Sequence, residues 1–167
     1  MLADQFSETF RTEHRAVRDA IFDLIDAFRA HDQETAGSLV GQIATLTGPH
    51  FRYEEETLYP NLVKIFGADY VDALINDHDG AIASARRLVE LVSAPIGDAE
   101  AVEGEAAARS LLPHVSDCDG LSIMVERLPE SEVSDVFDTR ARSLEAGLNL
   151  LEWADQVRYR PNLTLVS

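Results

Sequence analysis

The chain of 167 residues is long enough for one domain with a substantial core, and its 46% apolar and 26% charged residues are typical of globular proteins. Thirty acidic residues against fourteen basic ones give a net charge of −16, and no basic run interleaved with aromatic residues occurs, so we expect no nucleic-acid partner and no membrane partner. Apolar stretches fall far short of the roughly 20 residues that cross a bilayer, no signal-peptide pattern is present, and the single cysteine, Cys118, cannot form an internal disulfide, so we expect a cytoplasmic protein.

Four segments carry apolar residues at alternating steps of three and four, the spacing that places side chains on one face of a helix. The predicted helices cover residues 7–28, residues 32–35 to Pro60, residues 74–92, and about residues 98–128, before Pro129. Each buried face carries one histidine: His14, His50, His78 and His114 in chain order. No strand is needed anywhere.

A fifth helix is predicted outside this set. Ser131, followed by two acidic residues, is a plausible helix start, and an apolar stripe then continues to about Trp153. The stripe consists of Phe137, Ala141, Leu144, Leu148 and Leu151. We assign no structure to residues 158–167.

The histidines are spaced as an internal repeat, because 36 residues separate His14 from His50 and also His78 from His114. A shift of 64 residues relates the two halves. It converts Phe10 to Leu74, His14 to His78, Leu24 to Leu88, Pro49 to Pro113 and His50 to His114. Two tandem helical hairpins can bury their apolar faces only against each other, which predicts an all-α, up-down-up-down four-helix bundle with one inward histidine per helix.

Pro49 and Pro113 lie inside otherwise helical patterns, one residue before a histidine. Each proline removes a backbone hydrogen bond, so we expect each to kink its helix and to turn the following residues toward the bundle axis. The alternative is that these prolines mark breaks in the helices.

The core histidines need polar partners, because neutral imidazoles buried near one another lose their hydrogen bonds to water. A metal ion satisfies them together, and His50 and Glu54, four residues apart, face it from one side of a helix. Helical geometry predicts that Glu55 and Glu56 point away into solvent, as we also expect for His31. The imidazole and carboxylate set favours iron, manganese or zinc, and we prefer iron because open positions between helix pairs are typical of iron proteins that meet dioxygen.

In order, helix placement and spacing, His14, His50 with Glu54, His78 and His114 resemble the hemerythrin-like proteins, which include the HHE cation-binding domains. The resemblance implies a hemerythrin-like four-helix bundle with a cofactor of two iron ions, bridged by carboxylates and an oxo or hydroxo group. It also implies that dioxygen, nitric oxide or peroxide is the small ligand.

The resemblance covers about residues 8–128, which we expect to form the metal-binding core. With the extra helix at about residues 131–157, this core makes a single domain over residues 1–157. Residues 158–167 follow as a C-terminal tail.

Two positions depart from the family pattern. Animal hemerythrins carry a further histidine four residues before the equivalent of His78, where this chain has Leu74, so we expect one iron with fewer protein ligands, as in HHE domains that also lack it. HHE domains have glutamate where this chain has Cys118. Asp119, five residues after His114, matches the aspartate of animal hemerythrins and is our choice for the second bridging carboxylate. A metal-bound Cys118 thiolate is the alternative.

Three functions fit these features. The first is a binding protein, serving as sensor, store or scavenger, which could contact a signalling partner or a second copy through the C-terminal helix. The second is a di-iron oxidoreductase or an iron-donating repair protein, which Leu74 favours because catalysis needs an open site. The third is a metal-free helical interaction module. We favour a ligand-binding metalloprotein and leave enzymatic activity open; Tyr53 could donate a hydrogen bond to a bound oxygen species or simply fill the core.

Overall fold

The computed structural model describes residues 1–160, and over that range its regular structure is entirely helical, without strands. The α-helices are α1 (Leu2–Arg29), α2 (Gln33–Tyr53), α3 (Tyr59–Phe66), α4 (Ala68–Val92), α5 (Asp98–Arg109), α6 (Leu112–Asp119), α7 (Glu130–Ala146) and α8 (Leu150–Gln156). A π-helical turn, Glu54–Leu58, joins α2 to α3, and a 3₁₀ segment, Gly120–Arg127, follows α6. The predicted all-α fold, a four-helix bundle with additional C-terminal structure, is confirmed.

The first hairpin follows the predicted pattern. Helix α1 buries a stripe at steps of three and four that includes Phe10, His14, Val17, Ile21, Leu24 and Phe28. Asp32 caps α2, since its carboxylate accepts a hydrogen bond from the backbone N–H of Thr35 at 3.0 Å. Helix α1 packs along α2 on one side and along α5 on another, so its histidine faces the interior of the bundle.

The second predicted helix does not end at Pro60. The chain continues through the π-helical turn into α3, which ends at Phe66 before Gly67, where φ is 85°. Pro60 lies in the first turn of α3, directly after the π-helical turn. The predicted end is wrong because the Tyr59 N–H already bonds Glu54 O, five residues back, so the regular bonding that a proline interrupts is absent just before Pro60.

The two repeated prolines have different effects. Pro49 lies within α2, which is continuous from Gln33 to Tyr53. Pro113 instead lies in the first turn of α6, after a break at Ser110 and Leu111. The fourth helix predicted for residues 98–128 is therefore wrong as a single element, and at Pro113 the alternative of a helix break holds.

The fifth predicted helix is two helices. Gly147 adopts a left-handed conformation with φ of 64° and ends α7. Asn149 then caps α8, because its side chain accepts hydrogen bonds from two backbone N–H groups at 3.0 Å each. Helix α7 itself begins at Glu130, just before the predicted start at Ser131.

The buried face of α7 differs from the predicted stripe. Leu144 is 49% exposed, whereas the helix buries Val133, Val136, Thr139 and Ser143. The hydroxyls of Thr139 and Ser143 donate hydrogen bonds to backbone carbonyls of the preceding turn. These bonds allow polar side chains to face the bundle, so hydrophobicity alone points to the wrong face.

Both C-terminal helices pack on α2, and α8 also contacts α4. Trp153 of α8 is buried in an apolar cluster with Phe51 and Ile82, so the apolar residues of this helix are used within the chain. In the predicted tail, Arg158 and Arg160 make ion pairs with the bundle. Residues 161–167 of that tail lie outside the described residues.

Two large apolar clusters fill the bundle, one containing Phe10 and the other Val17. His14 lies between these residues on α1, which places the layer of histidines between the two clusters. Within residues 1–160, no helix is long and apolar enough to cross a membrane.

Candidate metal centre

Five of the six predicted ligand residues meet between the two apolar clusters. His14 comes from α1, His50 from the end of α2, Glu54 from the start of the π-helical turn, His78 from α4 and His114 from α6. None of them is more than 7% exposed, and Glu54 and His78 are fully buried. The helices therefore bring together four imidazoles and a carboxylate, a donor set that suits divalent transition metals.

Glu54 is the central residue of this group. Its Oε1 lies 3.2 Å from His50 Nε2 and 3.0 Å from Cys118 Sγ, and its Oε2 lies 3.1 Å from His78 Nε2. His78 Nε2 is in turn 3.1 Å from His114 Nε2. One carboxylate thus faces donors from both halves of the repeat, as a bridging ligand does.

Two overlapping groups of donor atoms share Glu54. One consists of His14, Glu54 and Cys118, and the other of Glu54, His78 and His114. In each group the donor atoms lie within 4.8 Å of one another, and all of these residues are buried. The two groups therefore overlap at one carboxylate, that of Glu54.

Hydrogen bonds at Nδ1 orient three of the histidine rings. His14 donates to a backbone carbonyl at 2.8 Å, His50 Nδ1 lies 2.8 Å from Glu13 Oε2, and His78 Nδ1 lies 2.8 Å from Glu55 Oε1. Because Nδ1 is engaged in each ring, Nε2 is left for the centre. Metal-binding histidines are commonly held in this way by a carboxylate or a carbonyl.

Several buried polar atoms at the centre have no hydrogen-bond partner within the described residues: His50 Nε2, Glu54 Oε2, His114 Nδ1 and Asp119 Oδ1. His50 Nε2 and Glu54 Oε2 each lie close to another polar atom, but the angles of these contacts are unsuitable for a hydrogen bond. Unpaired buried polar atoms are unfavourable, and a cation would satisfy an imidazole nitrogen and a carboxylate oxygen together. The residues present therefore fit a metal ion.

The charges of the centre follow from burial and proximity. Burial lowers the pKa of His14 to about 4 and that of His114 to about 3, so both rings are neutral and able to bind a metal. Burial also acts to lower the pKa of His50, but the Glu54 carboxylate and a second acidic neighbour raise it to about 10. Burial acts to raise the pKa of Glu54, yet the facing imidazoles bring it well below its usual value.

Cys118 lies inside the centre, whereas Asp119 lies at its edge. Burial and the Glu54 charge raise the pKa of the Cys118 thiol well above its usual value, so the thiol stays protonated and donates a hydrogen bond to Glu54. Asp119 belongs to neither group of donor atoms, although it lines a surface depression together with His14. Of the predicted ligands, His50 and Asp119 both lie outside these groups, and His50 lies 3.2 Å from Glu54.

Tyr53 lies on the outer side of the centre. Its hydroxyl donates to Glu13 at 2.7 Å and lies 2.9 Å from His50 Nδ1, away from the nitrogen that faces the centre. The hydroxyl of Tyr59 is on the inner side instead, 3.2 Å from His78 Nε2. The role suggested for Tyr53, donation to a bound oxygen species, therefore suits Tyr59 better.

Two acidic residues at the centre differ from expectation. Glu55 is 2% exposed, because the π-helical turn carries both Glu54 and Glu55 inward, while Glu56 is exposed as expected. Glu13 is not among the predicted site residues. A shift of 64 residues relates Glu13 to Asp77, which lies near His114. The same shift relates His50 to His114, so the sequence repeat could have predicted that Glu13 lies near His50.

An apolar cavity of about 50 Å³ adjoins the centre. His14, His50 and His114 form part of its wall, and the remaining lining is mainly aliphatic, including Val40 and Ala85. The volume corresponds to roughly one or two water molecules. A small apolar molecule therefore has a place to lie beside the imidazoles.

Comparisons with known proteins bear directly on this site. The family model described as Hemerythrin HHE cation binding domain matches residues 5–121. No curated protein and no solved structure matches the chain. The matched residues include every predicted ligand from His14 to Asp119 but neither α7 nor α8.

Proposed function

The chain belongs to the hemerythrin HHE cation-binding domain family, and from this premise we propose that it holds two iron ions around Glu54. With iron bound, the protein binds or reacts with dioxygen, nitric oxide or peroxide. It acts as a sensor, store or scavenger of that small molecule.

The observation that carries the proposal is the position of the Glu54 carboxylate. Both of its oxygens are buried, and they face donors from opposite halves of the repeat. A buried carboxylate among histidines is stable only with positive charge beside it. Two cations that share Glu54 would supply that charge and would occupy both groups of donor atoms at once.

We assign His14 and His50 to one ion and His78 and His114 to the other, with Glu54 between the two. Asp119 is the proposed second carboxylate, because its buried Oδ1 has no hydrogen-bond partner within the described residues. Cys118 is the alternative, since it lies in one group with His14 and Glu54. Its thiol already donates a hydrogen bond to Glu54, whereas Asp119 Oδ1 has no partner among the described residues.

Bound iron would supply the affinity for small oxygen and nitrogen species, while residues of the chain control access and orientation. Leu74 offers no donor atom, so an ion held by His78 and His114 would have fewer protein ligands and could accept a small molecule. The Tyr59 hydroxyl, 3.2 Å from His78 Nε2, can donate a hydrogen bond to a molecule held there. The mainly apolar lining of the cavity favours neutral diatomic molecules over polar ones.

A di-iron oxidoreductase, or a protein that donates iron for the repair of damaged iron centres, is the second candidate. Leu74 favours it, because reactivity requires a position without a protein ligand. A metal-free interaction module is opposed by the unpaired buried atoms of His50, Glu54 and His114. A signalling partner or second copy at α7 and α8 would have to use their exposed residues, since the apolar ones pack on the chain's own bundle.

Anaerobic loading with ferrous ions tests these functions against one another. The iron content is measured first, and absorption spectra are then recorded before and after adding dioxygen or nitric oxide to the reduced protein. A reversible spectral change supports binding, and irreversible oxidation supports an enzyme. A chain that takes up no iron leaves only the interaction module.

A further inference from the structure

Two arginines from the C-terminal part of the chain reach the metal centre through acidic residues. Arg140 lies on α7, and Arg158 lies just after α8. Both are outside residues 5–121, the part that matches the family model, so the family match assigns them no role. Each binds a carboxylate that in turn contacts a ligand histidine.

The first chain of contacts runs from Arg140 through Glu13 to His50. Arg140 Nε and Nη2 both lie 2.7 Å from Glu13 Oε1, and the other Glu13 oxygen lies 2.8 Å from His50 Nδ1. Burial acts to raise the pKa of Glu13, but His50, Tyr53 and Arg140 together lower it to about 2. Glu13 is therefore ionised and can accept hydrogen bonds from both sides.

The second chain of contacts runs from Arg158 through Glu55 to His78. Arg158 forms a two-pronged pair with the Glu55 carboxylate, at 3.0 Å from Nε to Oε2 and 2.8 Å from Nη2 to Oε1. Glu55 Oε1 also lies 2.8 Å from His78 Nδ1. The Arg158 side chain is 12% exposed and Glu55 is 2% exposed, and the third Arg158 nitrogen, Nη1, lies 2.6 Å from Asp79.

A carboxylate that is removed from water and meets only a neutral, metal-binding imidazole would carry an uncompensated charge, and this applies more strongly to Glu55, which is 2% exposed, than to Glu13, which is 22% exposed. The Arg158 fork matches the two oxygens of Glu55 and so fixes both the charge and the orientation of that carboxylate, whereas Arg140 directs two nitrogens at one oxygen of Glu13. Asp77, the acid next to His114, shows the contrast: it is 50% exposed, lies 3.6 Å from the ring nitrogen, and binds no arginine among the described residues.

We propose that Arg140 and Arg158 are positioning residues of the metal centre: each holds a carboxylate that keeps the proton on Nδ1 of a ligand histidine and presents Nε2 to the metal. This inference rests on the proposed function. It gives α7 and the segment after α8 a role in supporting the centre, in addition to the packing of α7 and α8 on α2. Loss of such a carboxylate support typically weakens metal binding roughly 10–100-fold.

The test compares Arg140→Gln and Arg158→Gln with the wild-type full chain and with Arg160→Gln. Arg160 is a matched control, because it lies in the same segment and also binds Asp79, but it contacts neither Glu13 nor Glu55, the carboxylates that face a ring nitrogen of a ligand histidine. Arg140→Lys and Arg158→Lys keep the positive charge but remove the planar guanidinium group. They replace the glutamine variants in the test if a glutamine variant does not fold. Circular dichroism verifies the helical fold of each protein.

Cobalt(II) titration, followed by visible absorption and chelator competition, measures the affinity of each ion. We expect roughly 10–100-fold weaker binding of one ion in each glutamine variant, smaller losses in the lysine variants, and no change in Arg160→Gln. Equal affinities in all of these proteins would overturn the inference.

The second readout needs no metal. In metal-free protein with ¹⁵N-labelled histidine rings, Nδ1 of His50 and His78 should carry a proton in the wild type. Arg140→Gln should shift the His50 signal and Arg158→Gln that of His78, whereas unchanged signals would contradict the inference. If the wild type binds no cobalt, the proposed function fails, and these ring signals alone decide whether the arginines position the histidines.

Discussion

Glu54 is a fully buried carboxylate that lies within 3.2 Å of two imidazole nitrogens and one thiol. Nothing else in the centre contacts donors from both halves of the repeat in this way. Burial acts to raise the pKa of Glu54, but the neighbouring imidazoles of His50 and His78 lower it and so stabilise its negative charge. In the proposed centre, Glu54 is the residue that the two ions would share.

Replacing Glu54 by glutamine tests this role, because the amide keeps the shape of the side chain and removes its charge. We expect both ions to be lost or weakened by more than the roughly 100-fold that a missing supporting carboxylate produces. Metal content after desalting, with Glu56→Gln as the control at an exposed neighbour, measures the effect. Retention of both ions in the Glu54 variant would show that the carboxylate is not a shared ligand.

Asp119 and Cys118 are separated by paired substitutions. We expect Asp119→Asn to weaken one ion at least tenfold, because the centre loses a charged oxygen donor, and Cys118→Ser to leave both affinities unchanged. Cobalt(II) spectra provide a direct check, since a thiolate ligand adds an intense sulfur-to-metal band. The reverse result, with that band present in the wild type and absent in Cys118→Ser, would assign the position to Cys118.

At the scale of the elements, the π-helical turn Glu54–Leu58 shapes the centre more than any regular helix. It places two successive acidic residues, Glu54 and Glu55, inside the bundle, one facing His78 Nε2 and the other facing His78 Nδ1. Turns of this kind occur within helices mainly at functional sites. In this chain, the turn lets one segment supply both a ligand and the support of another ligand.

Close packing between α2 and the α7–α8 connection leads to a further prediction. A Cβ atom at Gly48 would lie 2.4 Å from the backbone oxygen of Leu148, whereas one at Gly41 on the same helix would meet nothing within 4 Å. We expect Gly48→Ala to lower the free energy of unfolding by about 1–3 kcal/mol and Gly41→Ala to raise it by about 0.4–1 kcal/mol. Urea denaturation followed by circular dichroism measures both, and equal effects would refute this packing.

Much of the bundle could be predicted from the sequence because its helices are strongly periodic. The apolar stripe of α1 and the repeated spacing of the histidines are sufficient to place His14, His50, His78 and His114 in one layer. The buried position of Glu55 could not be predicted, since it depends on a π-helical turn that has no counterpart in a period of 3.6 residues.

The C-terminal helices were harder to predict for different physical reasons. Hydroxyl side chains of α7 face inward because they bond to their own backbone, which a hydrophobicity pattern does not register. The break at Gly147 depends on a left-handed turn. Arg140 and Arg158 resemble ordinary surface residues in sequence, and only the tertiary fold brings them to Glu13 and Glu55.

At the scale of the whole molecule, the bundle carries unpaired polar atoms between two apolar clusters, so binding and folding should be linked. A metal that binds only the folded chain raises the free energy of unfolding, by about 2.7 kcal/mol at a concentration one hundred times Kd. We therefore expect the midpoint of thermal unfolding to rise with ferrous or cobalt(II) ions and to fall after chelation. Glu54→Gln should show no such shift, and an equal shift in that variant would indicate binding at the acidic surface instead.

The strongly acidic surface, with a net charge of −16, attracts cations without selecting among them. In the proposed centre, the histidines and Glu54 would replace the water around an ion and would select among cations. A count of bound metal must therefore be made after weakly held surface ions have been removed.

The most direct measurement is the number of iron ions per chain in protein loaded anaerobically with ferrous ions and then desalted, with protein and iron determined on the same sample. We predict two ions per chain in the wild type and loss of both in Glu54→Gln. A wild-type chain that retains no iron, or the same iron content in both proteins, would contradict a centre built around Glu54.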